Sequence, residues 1–280
     1  MLKQRIITAA VLLALLLPAL IVEPVWPFAL LTLVVIAAAG WEWARLNSAG
    51  PASIALGVVL GAACAAAFAA GWGSAAPAAV WWLALGVWTL GGFVVLRLGP
   101  SGWPKLAPGW RWVLGLLILW TGGLALVNAR ARGLEFILSV FAIVWAADVC
   151  AYFGGRAWGR RKLALTISPG KSWEGVWSGM AGALAVAAAW LAIGAAAGDR
   201  STSVFALLSG RFGLAGMAAL VVFLVAMSVV GDLFESLVKR SVGAKDSSTL
   251  LPGHGGILDR IDALLPVFPI ALALVAATPP

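Results

Sequence analysis

Residues 212 to 231 read F-G-L-A-G-M-A-A-L-V-V-F-L-V-A-M-S-V-V-G, with no charged side chain, and residue 232 is an aspartate. A helix rises about 1.5 Å per residue, so a stretch of this length crosses the hydrocarbon core of a bilayer, about 30 Å thick. Working outward, comparable apolar runs fall near 5 to 22, 25 to 41, 52 to 71, 77 to 97, 110 to 128, 134 to 153, 174 to 197 and 260 to 277. The pattern predicts an all-α, polytopic membrane protein of about nine transmembrane helices. Composition agrees, because 62% of the residues are hydrophobic and 11% charged, whereas soluble domains carry about 25% charged residues. A chain of 280 residues then holds its spans, short connections and no separate soluble domain.

The formal charge of +8 does not read as a nucleic-acid surface, since the basic residues lie between apolar runs and form no single patch. They fit an orientation in the membrane. With the N-terminus cytoplasmic, only Arg130, Arg132, Arg200 and Arg211 fall on the far side, and the other fifteen of the nineteen Lys and Arg residues lie inside. Lys3 and Arg5 ahead of the first run resemble a signal peptide, but Pro18, Glu23 and Pro24 stand where a small-residue cleavage site belongs. The run is read as an uncleaved span. Cys64 and Cys150 both lie in apolar stretches, without metal-ligand spacing, and read as packing residues. Trp41, Trp43, Trp72, Trp103, Trp110, Trp112, Trp158 and Trp173 fall near span ends, where an amphipathic ring favours the headgroup zone.

The two halves differ in kind. Residues 1 to 133 hold two carboxylates, Glu23 and Glu42, and read as transmembrane scaffold; residues 134 to 280 read as the catalytic helices of the same integral domain. Asp148, Glu174, Asp232, Glu235, Asp246, Asp259 and Asp262 all map to the cytoplasmic side. A carboxylate at membrane depth costs a few kcal/mol (about 2.5–3.5 on insertion scales), so it faces a partner, an ion or a polar cavity. If the eighth run continues as helix, Asp232, Ser236, Lys239 and Arg240 share one face. The stretch L-P-G-H-G-G, 251 to 256, is turn-forming, and a glycine-rich turn feeding a helix is a ready phosphate site. Asp259 and Asp262 follow at the start of the ninth run. Carboxylates from two helix ends could share a hard cation such as Mg²⁺, with water and substrate phosphate completing its shell.

Residues 236 to 262 resemble the signature of the phosphatidate cytidylyltransferase family, S-x-x-K-R-x-x-x-x-K-D followed by H-G-G-x-x-D-R-x-D. Ser236, Lys239, Arg240, Lys245, Asp246, Ser248, Pro252, His254, Gly255, Gly256, Asp259, Arg260 and Asp262 fill matching places, thirteen positions over 27 residues. Asp148, Ala151, Tyr152, Gly154 and Arg156 resemble a second family element, and Ser168, Pro169, Lys171, Ser172, Glu174 and Gly175 a third. The resemblance implies a multi-pass enzyme, expected in a bacterial plasma membrane, that transfers CMP from CTP to phosphatidic acid and releases pyrophosphate. It further implies a divalent cation, Mg²⁺ with a second cation as an option, and a homodimer.

The expected chemistry needs no strong base, because a phosphomonoester is already anionic near neutrality, its second pKa being about 6. Charge neutralisation and in-line positioning are the main tasks. The residues expected to carry them are Asp232 and Asp259 on the metal; Ser236, Lys239, Arg240, Asp246, His254, Arg260 and Asp262 in catalysis; and Asp148, Tyr152, Lys162, Ser168, Lys171, Lys245, Gly255 and Gly256 on the substrates. Alternatives stay open: His254 as general acid or as a turn residue, Arg160-Arg161-Lys162 as retention charge or CTP contact, and Ser172 with Glu174 as a helix cap. Three rival functions are a CTP-dependent lipid kinase, a CDP-alcohol phosphotransferase and an ion-coupled transporter. The kinase fits the H-G-G-x-x-D-R-x-D run poorly, the phosphotransferase's D-x-x-D-G-x-x-A-R is absent, and a transporter would place polar groups on both sides of the bilayer.

Overall fold

The computed structural model describes residues 2–197 and 201–276; Arg200, one of the four cations placed on the far side, lies outside the described residues. The chain forms α1 (Leu2–Ile21), α2 (Trp26–Leu46), α3 (Ala52–Ala69), the short α4 (Trp72–Ala75), α5 (Ala78–Gly86), α6 (Gly92–Gly102), α7 (Pro108–Ala131) and α8 (Leu134–Trp158). A two-stranded antiparallel hairpin follows, β1 (Lys162–Ala164) and β2 (Ser168–Ser172), and then α9 (Trp173–Ala197), α10 (Val204–Ser241), the single-turn α11 (Leu258–Ile261) and α12 (Leu264–Ala276). The hairpin is the one addition to the all-α expectation among the described residues. Five π-helical residues, Val87–Gly91, join α5 to α6, so that 78 to 105 runs as one membrane-length segment.

Eight helical segments among the described residues are long and apolar enough to cross a membrane. The ninth expected span is different. In place of a helix from 260, α11 ends at Ile261 and α12 holds only 13 residues, about 20 Å, less than the hydrocarbon thickness. Pro266 explains the break: it has no N–H for the carbonyl of Asp262 four residues earlier, so an unbroken helix through this point would lose that bond. The freed backbone is packed closely, because Gly231 of α10 lies against the Asp262 carbonyl and the Pro266 ring, within 2.9 Å of where a side chain would begin. Residues Leu265 to Ala273 are buried against α5, α7 and α10. The short helix is therefore the centre of the bundle.

Helix α10 carries the other decisive feature. Gly213 breaks it, with φ +68°, and from there it runs unbroken to Ser241. That is about 42 Å of helix, so two turns project beyond the apolar run and carry Asp232 to Arg240 out of it. Ser203 starts the segment before the break by accepting the N–H of Ala206 at 3.2 Å.

Two tryptophans expected in the headgroup zone are core residues. Trp43 and Trp103 are buried, each within about 6 Å of Phe234 on α10, with Trp43 stacked on the ring and Trp103 edge-on. Their indole N–H groups are satisfied internally, by the carbonyl of Arg111 and the Oδ1 of Asn47, both at 2.9 Å. Burial of a tryptophan costs little once that donor has a partner. Trp110 and Trp158, by contrast, are exposed as expected. Arg130, counted above as a far-side charge, is buried and donates to the carbonyls of Leu20 and Val22 at the end of α1, a cation on the acceptors that a helix end leaves free.

Candidate active site

The loop from 242 to 257 is built around two buried carboxylates. Glu42, on α2 and fully buried, accepts from Ser248 Oγ (2.5 Å), Ser247 Oγ (3.0 Å), Ile257 N (2.9 Å) and Leu258 N (2.8 Å). Asp259, on α11, accepts from Lys239 Nζ (2.5 Å), from Ser247 through both N and Oγ (2.9 Å each), and from Gly256 N (2.7 Å). Arg45 adds a bond to the carbonyl of Ser247 at 2.9 Å. Gly256 passes so close to Ser247 and Glu42 that no side chain fits there, and Gly255 takes φ +83°, which favours glycine. These facts correct one expectation. The backbone N–H groups of Gly256, Ile257 and Leu258, at the end of the glycine turn, do not wait for a phosphate; Asp259 and Glu42 already fill that anion seat. Burial raises the pKa of the Asp259 carboxyl, but the bonds from Lys239, Gly256 and Ser247 outweigh it and hold the group at about 2.

Glu42 was missed in the sequence, where the first half read as scaffold. The signal was present: a lone carboxylate at the end of an apolar run carries the same cost that drew attention to the seven carboxylates of the second half.

Lys239 lies between Asp259 and Glu235 and pairs with both. The shared face expected for α10 divides accordingly. Asp232 accepts from Ser236 Oγ at 3.3 Å and pairs with Lys171 of β2 at 2.5 Å, whereas Arg240 turns to the carbonyls of Ala244 (3.0 Å) and Ile167 (3.4 Å), tying the hairpin to the helix end.

Two cavities flank this framework. The first, about 450 Å³, is lined by Asp148 and Tyr152 of α8, Lys171 and Ser172 of β2 and Asp232 of α10. Asp148 and Asp262 both stand within electrostatic reach of Asp232 and Lys171. The second, about 620 Å³, is lined by Arg5, Lys245, Asp246, His254, Gly255 and Arg260. Lys162 and Ser168 line neither; they are hairpin positions, paired across the strands with Ser172 and Ala164. Asp262 accepts the N–H of Ala263 at 2.7 Å in the break before α12, so Asp259 and Asp262 occupy a separate turn and not the start of a spanning helix. Arg156 reaches Tyr152 Oη at 3.3 Å and leaves Asp148 to the cavity. Ser172 Oγ accepts the N–H of Gly175 at the start of α9, and Glu174 accepts the N–H groups of Arg160 and Arg161, so both close the hairpin onto the helix.

Among the described residues no three of His, Cys, Asp and Glu converge closely enough to hold a metal ion unaided. A cation that keeps water and takes substrate phosphate asks for less than that, one or two carboxylates being enough. Asp232 fits such a role: it borders a cavity, its partners are one lysine and one long hydroxyl contact, and two further carboxylates stand near.

A family model described as the cytidylyltransferase family matches residues 3–278. A Pseudomonas aeruginosa protein named phosphatidate cytidylyltransferase is 45% identical over 282 residues, covering 99% of this chain and 98% of its own length. A Haemophilus influenzae protein of the same name is 50% identical over 139 residues, 49% of this chain and 44% of that protein. A chloroplastic Arabidopsis thaliana protein, phosphatidate cytidylyltransferase 5, is 39% identical over 133 residues, 48% of this chain and 30% of that one.

Proposed function

The chain belongs to the cytidylyltransferase family, and from that membership we propose how its residues perform the family's reaction. It makes CDP-diacylglycerol from CTP and phosphatidate within the membrane. In the proposed step an anionic oxygen of the lipid phosphate attacks the α-phosphorus of CTP. A new P–O bond forms, the bond between the α-phosphorus and the bridging oxygen breaks, and pyrophosphate leaves with that electron pair. No proton has to be removed from the nucleophile, so the protein's work is to hold polyanions together.

The observation that carries this reading is the meeting of Lys171 and Asp232 at one cavity, from elements some sixty residues apart in sequence. A lysine held beside a carboxylate is a cation ready to turn to a polyphosphate. Asp232 would hold Mg²⁺, whose charge would offset that of the phosphates, with Asp148 and Asp262 as further carboxylates within electrostatic reach. Asp259, whose oxygens already take four donors, would join it where Lys239 withdraws. Lys245 and Arg260 in the second cavity offset charge on the other phosphate-bearing substrate, with Asp246 and His254 beside them. Ser236 orients Asp232, and Lys239 and Arg240 fix the loop and hairpin. His254 Nδ1 is buried without a hydrogen-bond partner and His254 lines the second cavity, where a protonated Nδ1 could donate to a phosphate oxygen.

The reaction is tested with purified protein in detergent, phosphatidic acid, Mg²⁺ and CTP labelled at the α-phosphorus. Labelled lipid and free pyrophosphate are expected, and a chelator is expected to abolish both. Transfer of label only from the γ-position would establish a lipid kinase instead.

We also propose an N-terminus inside, supported by the Lys and Arg distribution, and a bacterial plasma membrane, supported by the bacterial relatives; a C-terminus outside requires the short α12 to complete a ninth crossing, and the homodimer rests on the family resemblance alone. Cysteines placed at positions 162 and 246 are expected to resist an impermeant thiol reagent in right-side-out cells and to react once the cells are permeabilised. Efficient labelling of either from outside would reverse the orientation and separate the site from cytoplasmic CTP.

A further inference from the structure

Helix α1 packs little against the bundle, and Ile6, Ile7, Val11, Leu13 and Leu17 face outward. One line along it is different. Arg5, Thr8, Leu12 and Leu16 recur at three- and four-residue steps and therefore share a face. At its start Arg5 lies against Gly253, with its Cγ 2.9 Å from where a side chain on that glycine would begin, and Thr8 Oγ1 donates to the carbonyl of Pro252 at 2.9 Å. Arg5 also borders the 620 Å³ polar cavity. Deeper along the same face, Leu12 and Leu16 border a separate apolar cavity of about 260 Å³, lined elsewhere by Phe28, Phe141, Trp145 and Leu264. The two cavities adjoin, since Leu251 and Arg260 line both.

The composite space is polar at one end and apolar at the other. Its polar end sets three cations, Arg5, Lys245 and Arg260, against one carboxylate, Asp246, an excess suited to a phosphate. Arg5 and Leu16 are separated by about 16 Å along the helix, roughly half the thickness of the hydrocarbon core, which is the depth of one leaflet and so of one acyl chain. A soluble nucleotide would leave the apolar end empty. An anionic phospholipid fills both.

We propose that α1 and the 251–260 turn form the seat of the lipid substrate, with the headgroup phosphate on Arg5, Lys245 and Arg260 and one acyl chain along Leu12 and Leu16. This rests on the reaction proposed above, and it assigns α1, and Arg5 in particular, to lipid binding. It follows that affinity for phosphatidate depends on chain length through a helix remote in sequence from the signature residues.

The test is steady-state kinetics on the full-length protein with dioleoyl and dihexanoyl phosphatidate. Leu12→Trp, which fills the groove, is expected to raise KM for the dioleoyl lipid at least fivefold, leaving KM for CTP and kcat unchanged, and to change KM for the dihexanoyl lipid less than twofold. Arg5→Gln is expected to raise KM for both lipids alike, because it meets the part they share. Should Leu12→Trp not fold, Leu16→Ala carries the same test, since a widened groove is expected to weaken the dioleoyl lipid selectively. Unchanged KM for the long-chain lipid in a folded groove variant, or a parallel rise in KM for CTP, would overturn the proposal. Failure of the wild-type protein to form CDP-diacylglycerol from either lipid would instead remove the reaction on which it rests.

Discussion

Replacing Glu42 by glutamine is expected to lower turnover at least about a hundredfold, a loss of roughly 2.7 kcal/mol at about 1.4 per decade, while the protein still inserts in the membrane. The carboxylate accepts four bonds from the loop, two from serine hydroxyls and two from backbone N–H groups at the start of α11. Hydrogen bonds to a charged group contribute about 1.5–3 kcal/mol each, and a buried donor left unpaired costs about 1–3. A glutamine keeps one acceptor oxygen and sets an NH₂ group against donors on the other side, so at least one N–H or O–H loses its partner. The damage reaches the chemistry because Ile257 and Leu258 directly precede Asp259 and Arg260. Ser248→Ala removes one donor and leaves the carboxylate three, so a loss of only a few-fold is expected. Turnover at saturating substrates, with the melting temperature in detergent as a check of folding, measures both. Near-wild-type turnover for Glu42→Gln would show that the loop holds its shape without α2.

Asp232→Asn and Asp259→Asn should each cost at least about a hundredfold in turnover at saturating Mg²⁺, again roughly 2.7 kcal/mol, but for different reasons that a second measurement separates. Asp232 pairs with a partly exposed lysine at the edge of a cavity, so its loss should spare the melting temperature and raise the Mg²⁺ concentration needed for half-maximal rate. Asp259 accepts from Lys239, Ser247 and Gly256; its replacement leaves Lys239 paired with Glu235 alone and should lower the melting temperature as well. Wild-type turnover for both variants in folded protein would move the cation to Asp148, Asp246 or Asp262.

Much of the architecture is legible in hydropathy, because in lipid the backbone must satisfy itself, and helices long enough to cross are a short list. Where the reading and the structure part, tertiary contact is the cause. The last apolar run has the composition of a span, and only Pro266 hints that it breaks. Trp43 and Trp103 sit at span ends in sequence, yet Phe234, far along the chain, draws them inward. The site divides in the same way. The signature residues are visible as a block, but the block is folded by Glu42, 205 to 216 residues away from its partners. No local pattern announces a contact of that range. The hairpin that brings Lys171 to Asp232 leaves no strand signal in the sequence for a similar reason: its strands are three and five residues long, too short for an alternating pattern to register.

The distance between Glu42 and Leu258 also sets an order of events during biosynthesis. A ribosome adds about 5–20 residues each second, so the 216 positions that separate the two take on the order of ten to forty seconds to appear. For that interval α2 is in the bilayer with a carboxylate whose permanent partners do not yet exist. The helix must keep that end near water, and it can settle to its final depth only when the last segment, α11 and α12, arrives to cover it. A chain stalled before residue 247 would thus carry Glu42 without the four loop donors that hold it in the finished protein, with Arg45, one turn on along α2, as the cation nearest in sequence.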